Sequence, residues 1–209
     1  MKIKDFNKKL DLMVGEARCE LNYNRDYELL IAVILSAQCT DKRVNEVTRV
    51  LFSNYDLYGL RDANKKDIED IIRSCGSYTK KSYYIMEVAR RLIEDYNGVV
   101  PNNRDYLMTL PGVGRKTCNV VLSTLFNEPA IAVDTHVERV SKRLKIAKKL
   151  DSPLDVEYKL MKMIPKELWS KSHHQMVLFG RYICKARGPL CNKCLFYDDC
   201  KSKDKKAIK

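Results

Sequence analysis

Residues 110–126 read LPGVGRKTCNVVLSTLF. A proline and two glycines stand at the head of an apolar stretch with helical spacing, so this segment reads as a tight hairpin feeding a helix. The glycines let another molecule approach the backbone closely, and the helix that follows opens on unpaired N–H groups at the positive end of its dipole. A phosphate is stabilised at such a point without any base being read. The G-x-x-x-x-G-K-[ST] spacing of a P-loop is missing, which excludes that kind of nucleotide site.

Outward from the hairpin the apolar pattern stays helical. Ile68, Ile71, Ile72 and Cys75 share one stripe, and Val88, Leu92 and Ile93 another, while period-two alternation is nearly absent. Helix starts are expected at Asp26 before YELLIAVILSAQ, at Asp62 before NKKDIEDIIRSCG, and at Thr135, whose Glu138 three residues on suggests a capping box. Breaks are expected near Gly59, Gly76–Thr79, Gly98–Asn103, Asn127–Pro129, Ser152–Pro153 and Pro165. The fold class is therefore all-α, in helices of about a dozen residues.

The 209 residues include 39 basic and 27 acidic side chains, a formal charge of +12 that points to a polyanionic partner. Part of it sits in the tail 201–209, which reads as a disordered, solvated end. The longest apolar run, Leu29–Leu35, falls far short of the ~20 residues needed to cross a bilayer, and MKIKDFNKKLDLM lacks a signal-peptide core. A cytoplasmic protein with no membrane partner is expected.

Of eight cysteines, Cys19, Cys39, Cys75 and Cys118 are scattered, whereas Cys184, Cys191, Cys194 and Cys200 follow C-x6-C-x2-C-x5-C. In a reducing compartment the scattered four read as plain thiols and the crowded four as ligands of one metal centre. Zinc sites usually present two close pairs, and only Cys191 and Cys194 form one here. The spacing favours an iron–sulfur cluster, with zinc as the alternative. Four thiolates leave no open coordination position, so the role is structural, displaying Lys185, Arg187 and Lys193 on a rigid loop.

Lys116 falls in the first turn of the helix after the hairpin, beside Arg115, where a cation sits at the disfavoured end of the dipole. That is a setting for a Schiff-base nucleophile, with phosphate binding by an ordinary lysine as the plainer reading. Eighteen residues on, IAVDTHVERV (131–140) brings an apolar approach up to Asp134 at a helix start. A carboxylate there is suited to stabilising positive charge on a sugar, or simply to capping the helix.

These segments together resemble the endonuclease III family of helix-hairpin-helix DNA glycosylases and apurinic-site lyases. The likeness runs from YELLIAVILSAQCTD through LPGVGRKTCNVVL and AVDTHVERV to the four-cysteine loop, nearly the whole chain. The resemblance implies two helical domains, residues 23–128 as a central barrel with the helix-hairpin-helix, and residues 1–22 with 129–200 as a second domain holding a [4Fe-4S] cluster, followed by the basic tail 201–209. It implies Lys116 as the nucleophile and Asp134 as the catalytic carboxylate. Gly112, Val113, Gly114 and Arg115 would bind phosphate, Gln38 would fill the gap left by a flipped nucleotide, and Lys185 and Arg187 would touch DNA. Cys184, Cys191, Cys194 and Cys200 would hold the cluster, and His136 would lie near the site. The implied activity is removal of oxidised pyrimidines from damaged double-stranded DNA, then β-elimination at the abasic site, by a monomer. The competing readings are an adenine mismatch glycosylase and a noncatalytic DNA-binding module. The lysine at 116, and the absence of an acid between Leu29 and Thr40, speak against the first. Two positions depart from the family pattern: Ser77 stands where a larger apolar wedge is expected, and KARGPL (185–190) is less basic in its second half.

Overall fold

The structure, a computed structural model, describes residues 3–207; the ends of the N-terminal segment and of the basic tail (1–2 and 208–209) lie outside the described residues. Among those described every regular element is a helix. They are α1 (Ile3–Val14), α2 (Asp26–Leu35), α3 (Asp41–Asn54), α4 (Leu57–Asp62), α5 (Lys65–Ile72), α6 (Tyr78–Tyr96), α7 (Arg104–Thr109), α8 (Arg115–Leu125), α9 (Thr135–Arg143), α10 (Pro153–Met163) and α11 (Trp169–Leu178), with short 3₁₀ and π turns between. No helix is long and apolar enough to cross a membrane.

The chain divides into two compact units, one of Glu20–Phe126 and one of Met1–Cys19 with Asn127–Lys209. In the first, α2 is apolar on all sides, and Leu29 through Leu35 are each at most 3% exposed. A helix with no polar face must be central, and α2 accordingly packs on α3, α6 and α8. The amphipathic α6 closes the unit against α4 and α5 with Ile85, Val88, Ala89 and Leu92.

The other unit is built around Phe6 and Leu10 of α1, the Val137 and Val140 stripe of α9, Val156 and Leu160 of α10, and Met176 and Phe179. Phe196, from the cysteine loop, packs against Phe6 (tilted) and Phe179 (edge to face) at 5.4 and 5.5 Å between ring centres. That one aromatic ties a segment with little apolar content into the core.

Several helix starts differ from the sequence expectation. Helix α2 begins at Asp26, but the carboxylate that serves its end is Glu28, which accepts from the N–H groups of Asn24 (2.7 Å) and Arg25 (3.4 Å). Asp62 ends α4 rather than starting α5, which is capped by Asn64 Oδ1 accepting from Lys66 N–H at 2.9 Å. Gly59 lies inside α4, because Asp56 Oδ1 accepts its N–H at 2.7 Å and starts the helix three residues earlier. The capping box expected of Thr135 and Glu138 does not form: Asp134 caps α9, as its capping reading had it, and Glu138 pairs with Lys142. The first part of the tail is also held: Asp204 accepts from Arg143 at 3.0 Å, and the Lys205 ammonium lies 3.8 Å from the centre of the Tyr197 ring. A near neighbour with a buried guanidinium gives these residues a docking point that composition does not reveal.

Candidate functional site

The sequence-derived site residues fall in both units, and each group is described within its own. In the Glu20–Phe126 unit, α7 and α8 form the helix-hairpin-helix. Val113 N–H donates to Leu110 O at 3.1 Å across Pro111 and Gly112, and Gly112 has φ +80°, the bond and residues of a type II turn. A Cβ on Gly112 would stand 2.7 Å from Tyr84 Cδ2 and 3.1 Å from Ile34 Cγ2, so only glycine lets the hairpin pack on α2 and α6. Val113 is buried and anchors the loop, while Gly112 and Gly114 are exposed. Arg91 braces the hairpin from behind by donating to Thr109 O and Oγ1, both at 2.9 Å, and Arg104 joins α7 to α8 through Asn119 Oδ1 at 2.7 Å.

Helix α8 starts behind Gly114, whose lack of a side chain leaves the first turn without a side-chain cap, and no acid lies in that turn. Its N–H groups therefore face outward beside a half-buried Arg115 and an exposed Lys116. Gln38 lies at the tip of the turn after α2, exposed and left-handed at φ +58°. Ser77, just before α6, is also exposed and left-handed at φ +45°.

In the other unit, Asp134 Oδ1 accepts from His136 N–H and Val137 N–H, both at 2.8 Å. Its second oxygen takes no part in the cap. The cap thus occupies one oxygen of this half-buried carboxylate and leaves the other outside it. His136 packs against Gly180, where an added Cβ would lie 2.9 Å from the His136 Cβ. Burial pushes its imidazole below its ordinary pKa, against the opposing pull of Asp134.

None of the eight cysteines, all among the described residues, is in a disulfide. Cys184, Cys191, Cys194 and Cys200 line one small, partly open cavity, together with Leu144, Phe179, Ile183, Pro189 and Leu190. Burial, helped by the other three sulfurs, pushes the Cys194 thiol up to about 11. Sulfur receives N–H donors here: Arg143 Nη1 to Cys184 Sγ and Lys206 N–H to Cys191 Sγ, each at 3.4 Å. Among the described residues no group of three or more His, Cys, Asp or Glu is arranged to hold a single metal ion.

Two residues that the sequence reading did not single out organise this loop. Arg139 donates to Gly180 O at 2.7 Å and Cys184 O at 3.1 Å, and Arg143, 9% exposed, donates to Lys185 O at 2.7 Å and Ala186 O at 3.2 Å. The main chain beside Lys185 and Arg187 is thereby fixed while both side chains stay exposed. The readable signal was an Arg pair four residues apart on the helix that starts at Asp134.

The model of the HhH-GPD superfamily of base excision DNA repair proteins matches residues 31–166. The chain is 48% identical over 204 residues to endonuclease III of Bacillus subtilis (strain 168), covering 96% of this chain and 93% of that one. The chain belongs to the endonuclease III family. It is also similar to an endonuclease III in a trapped covalent intermediate with DNA, the estranged-adenine complex, at 50% identity and a TM-score of 0.90. A non-covalent endonuclease III–DNA complex matches at 51% and 0.91; each comparison covers 96% of both chains. As a member of the endonuclease III family the chain is a base excision repair enzyme, a DNA glycosylase with apurinic-site lyase activity.

Proposed function

We propose that the chain releases oxidised or ring-saturated pyrimidines from duplex DNA with Lys116 as nucleophile and Asp134 as electrostatic partner. The observation that carries this is the start of α8: an uncapped helix end behind a backbone-anchored glycine hairpin, with an exposed lysine in its first turn. The hairpin amides and Arg115 hold a phosphate of the damaged strand, which sets Lys116 Nζ at the adjoining sugar. Nζ attacks C1′, the base leaves with the electron pair of the glycosidic bond, and the ring opens to an imine. The imine acidifies C2′, a proton is lost there, and the 3′ phosphate departs by β-elimination. Water then hydrolyses the imine and restores the amine.

Asp134 Oδ2 stabilises the positive charge that develops on the sugar, while Oδ1 keeps the carboxylate in place through the α9 cap. Gln38 occupies the space of the extruded nucleotide, and Lys185 and Arg187 add phosphate contacts. The four cysteines suit a [4Fe-4S] cluster: the donor set is all sulfur, N–H groups point at two of the sulfurs, and the thiols surround a cavity. Such a cluster, when bound, supplies a rigid cross-link for the loop 184–200. The partner is damaged double-stranded DNA, met by a monomer.

The test is borohydride trapping on a duplex with one thymine glycol, with Lys116→Ala and an undamaged duplex alongside. An adduct that needs both lesion and lysine supports the reading; base release without an adduct points to a monofunctional glycosylase instead.

A further inference from the structure

Lys81 stands where a core residue is due. On α6 it is in register with the fully buried Ile85, Val88 and Leu92, and it is itself 4% exposed. Burial holds its ammonium below the ordinary lysine pKa, and no carboxylate is among its hydrogen-bond partners. All three N–H donors go to main-chain carbonyls instead, Leu35 O at 2.9 Å and Ala37 O and Cys75 O at 2.7 Å each. An apolar side chain would fill a core at lower cost in desolvation, so the arrangement has another reason.

The three carbonyls supply it. Leu35 and Ala37 end α2 and open the turn that carries Gln38; Cys75 ends the 3₁₀ turn (Arg73–Cys75) that leads to Ser77. Gln38 and Ser77 are the exposed non-glycine residues at positive φ in these two loops, a conformation that side chains other than glycine keep only where the surroundings over-determine it. One ammonium therefore pins two strained loop tips that lie far apart in sequence. The hairpin shares the same footing, since Gly112 packs on Ile34, next to Leu35, and on Tyr84, one turn beyond Lys81.

We propose that Lys81 is a positioning residue for base extrusion. It holds the Gln38 and Ser77 tips in fixed relation to the phosphate-binding hairpin, so that a duplex gripped by the hairpin meets both tips where the target nucleotide leaves the stack. Unstacking must be offset at once by replacement contacts, and a tip that has to order on binding loses part of that compensation as entropy. The inference rests on the reading of Gln38 and the hairpin given above.

The experiment compares full-length wild type, Lys81→Gln, Lys81→Met and Lys81→Arg in two single-turnover assays and in thermal unfolding. One assay is release of thymine glycol from a fully paired duplex; the other is β-elimination on the same duplex with a preformed abasic site, which has no base to unstack. For Lys81→Gln and Lys81→Met, excision is expected to fall by about tenfold or more while lyase activity changes by less than about threefold. Lys81→Arg, which keeps charge and donors, recovers part of the excision rate. An equal fall in both assays that tracks the loss of Tm would make Lys81 a core residue only and overturn the proposal. If Lys81→Met does not fold, the pair Gln38→Ala with Lys81→Gln decides: a residue acting through Gln38 loses most of its effect once Gln38 is gone, and additive effects overturn the proposal. Wild-type excision matched by Lys81→Gln overturns the role of Lys81 alone, whereas wild type that releases no base overturns the functional reading with it.

Discussion

Helix α8 starts behind Gly114 at φ −95°, ψ −178°, and α9 behind Asp134 at φ −100°, ψ −176°. Both helix starts share one backbone conformation and differ in what the cap residue supplies. Gly114 offers the first turn nothing, and the next residues are Arg115 and Lys116; Asp134 fills two of the first N–H groups of α9 with one carboxylate oxygen. An uncapped end accepts an anion from outside, and a capped end already has one. The same helical geometry thus yields an uncapped end beside an amine in one unit and an oriented carboxylate in the other.

The largest break in this contrast comes from removing the amine. Lys116→Ala is expected to abolish the borohydride-trapped adduct and strand cleavage, yet leave duplex binding nearly intact, since the hairpin amides remain; a gel and a binding titration separate the two. Next is Asp134→Asn, which keeps a competent cap and removes the charge. Base release should slow by about 10²- to 10³-fold with little change in Tm, whereas Asp134→Ala should add a stability loss of about 1 kcal/mol from the missing cap.

Converting one helix end into the other is the sharper test. Gly114→Asp meets no atom within 4 Å of its Cβ and leads into α8 with the same dihedrals as Asp134, so the variant should fold at least as stably as wild type. Its carboxylate would occupy the amides proposed to hold phosphate, and DNA affinity should drop by about tenfold or more. Unchanged affinity would show that phosphate does not sit there. Gly112→Ala, two residues earlier, behaves in the opposite way. At φ +80° with Tyr84 and Ile34 in the way, it should cost about 1–3 kcal/mol of stability, read in urea unfolding.

The smallest effect is a pH dependence at the start of α9. Burial, the larger influence, lowers the folded-state pKa of His136 below its ordinary 6.5, although Asp134 opposes it. The unfolded chain then binds the proton more readily, so the stability contributed by neutral His136 is present above about pH 6.5 and is lost as pH falls toward the lowered folded value. A shallow decline of Tm on acidification, flattened in His136→Gln, is the expected result. Identical profiles would show that the decline has another source.

Much of this was legible from local chemistry. The apolar run of α2 has no polar face and can only be central, and LPGVGRK needs a hairpin because proline and glycine together exclude both helix and strand. The places of Lys116 and Asp134 at helix starts were readable because each sits next to a helix-start signal. Cap identity slipped by two residues where two good acceptors lay close together, Asp62 against Asn64, and of the adjacent candidates Asp134 and Thr135 it is Asp134 that caps α9. Which acceptor wins depends on where neighbouring helices force the chain to turn. The tail departs from its sequence expectation for a similar reason, since Arg143, which holds Asp204, is distant in sequence.

By itself the sequence determined the helical class, the hairpin, the position of the amine and the carboxylate at helix starts, and the cysteine spacing, because each is a matter of local dihedral preference or of side chains within one or two turns. Only the tertiary structure decided that Lys81 joins the Gln38 and Ser77 loops, that Arg139 and Arg143 hold the cysteine loop, and that Gly112 must be bare against Tyr84 and Ile34. Those arrangements rest on main-chain carbonyls and van der Waals surfaces. Every residue carries the same carbonyl, so no pattern of side chains announces which ones packing will bring to a single cation.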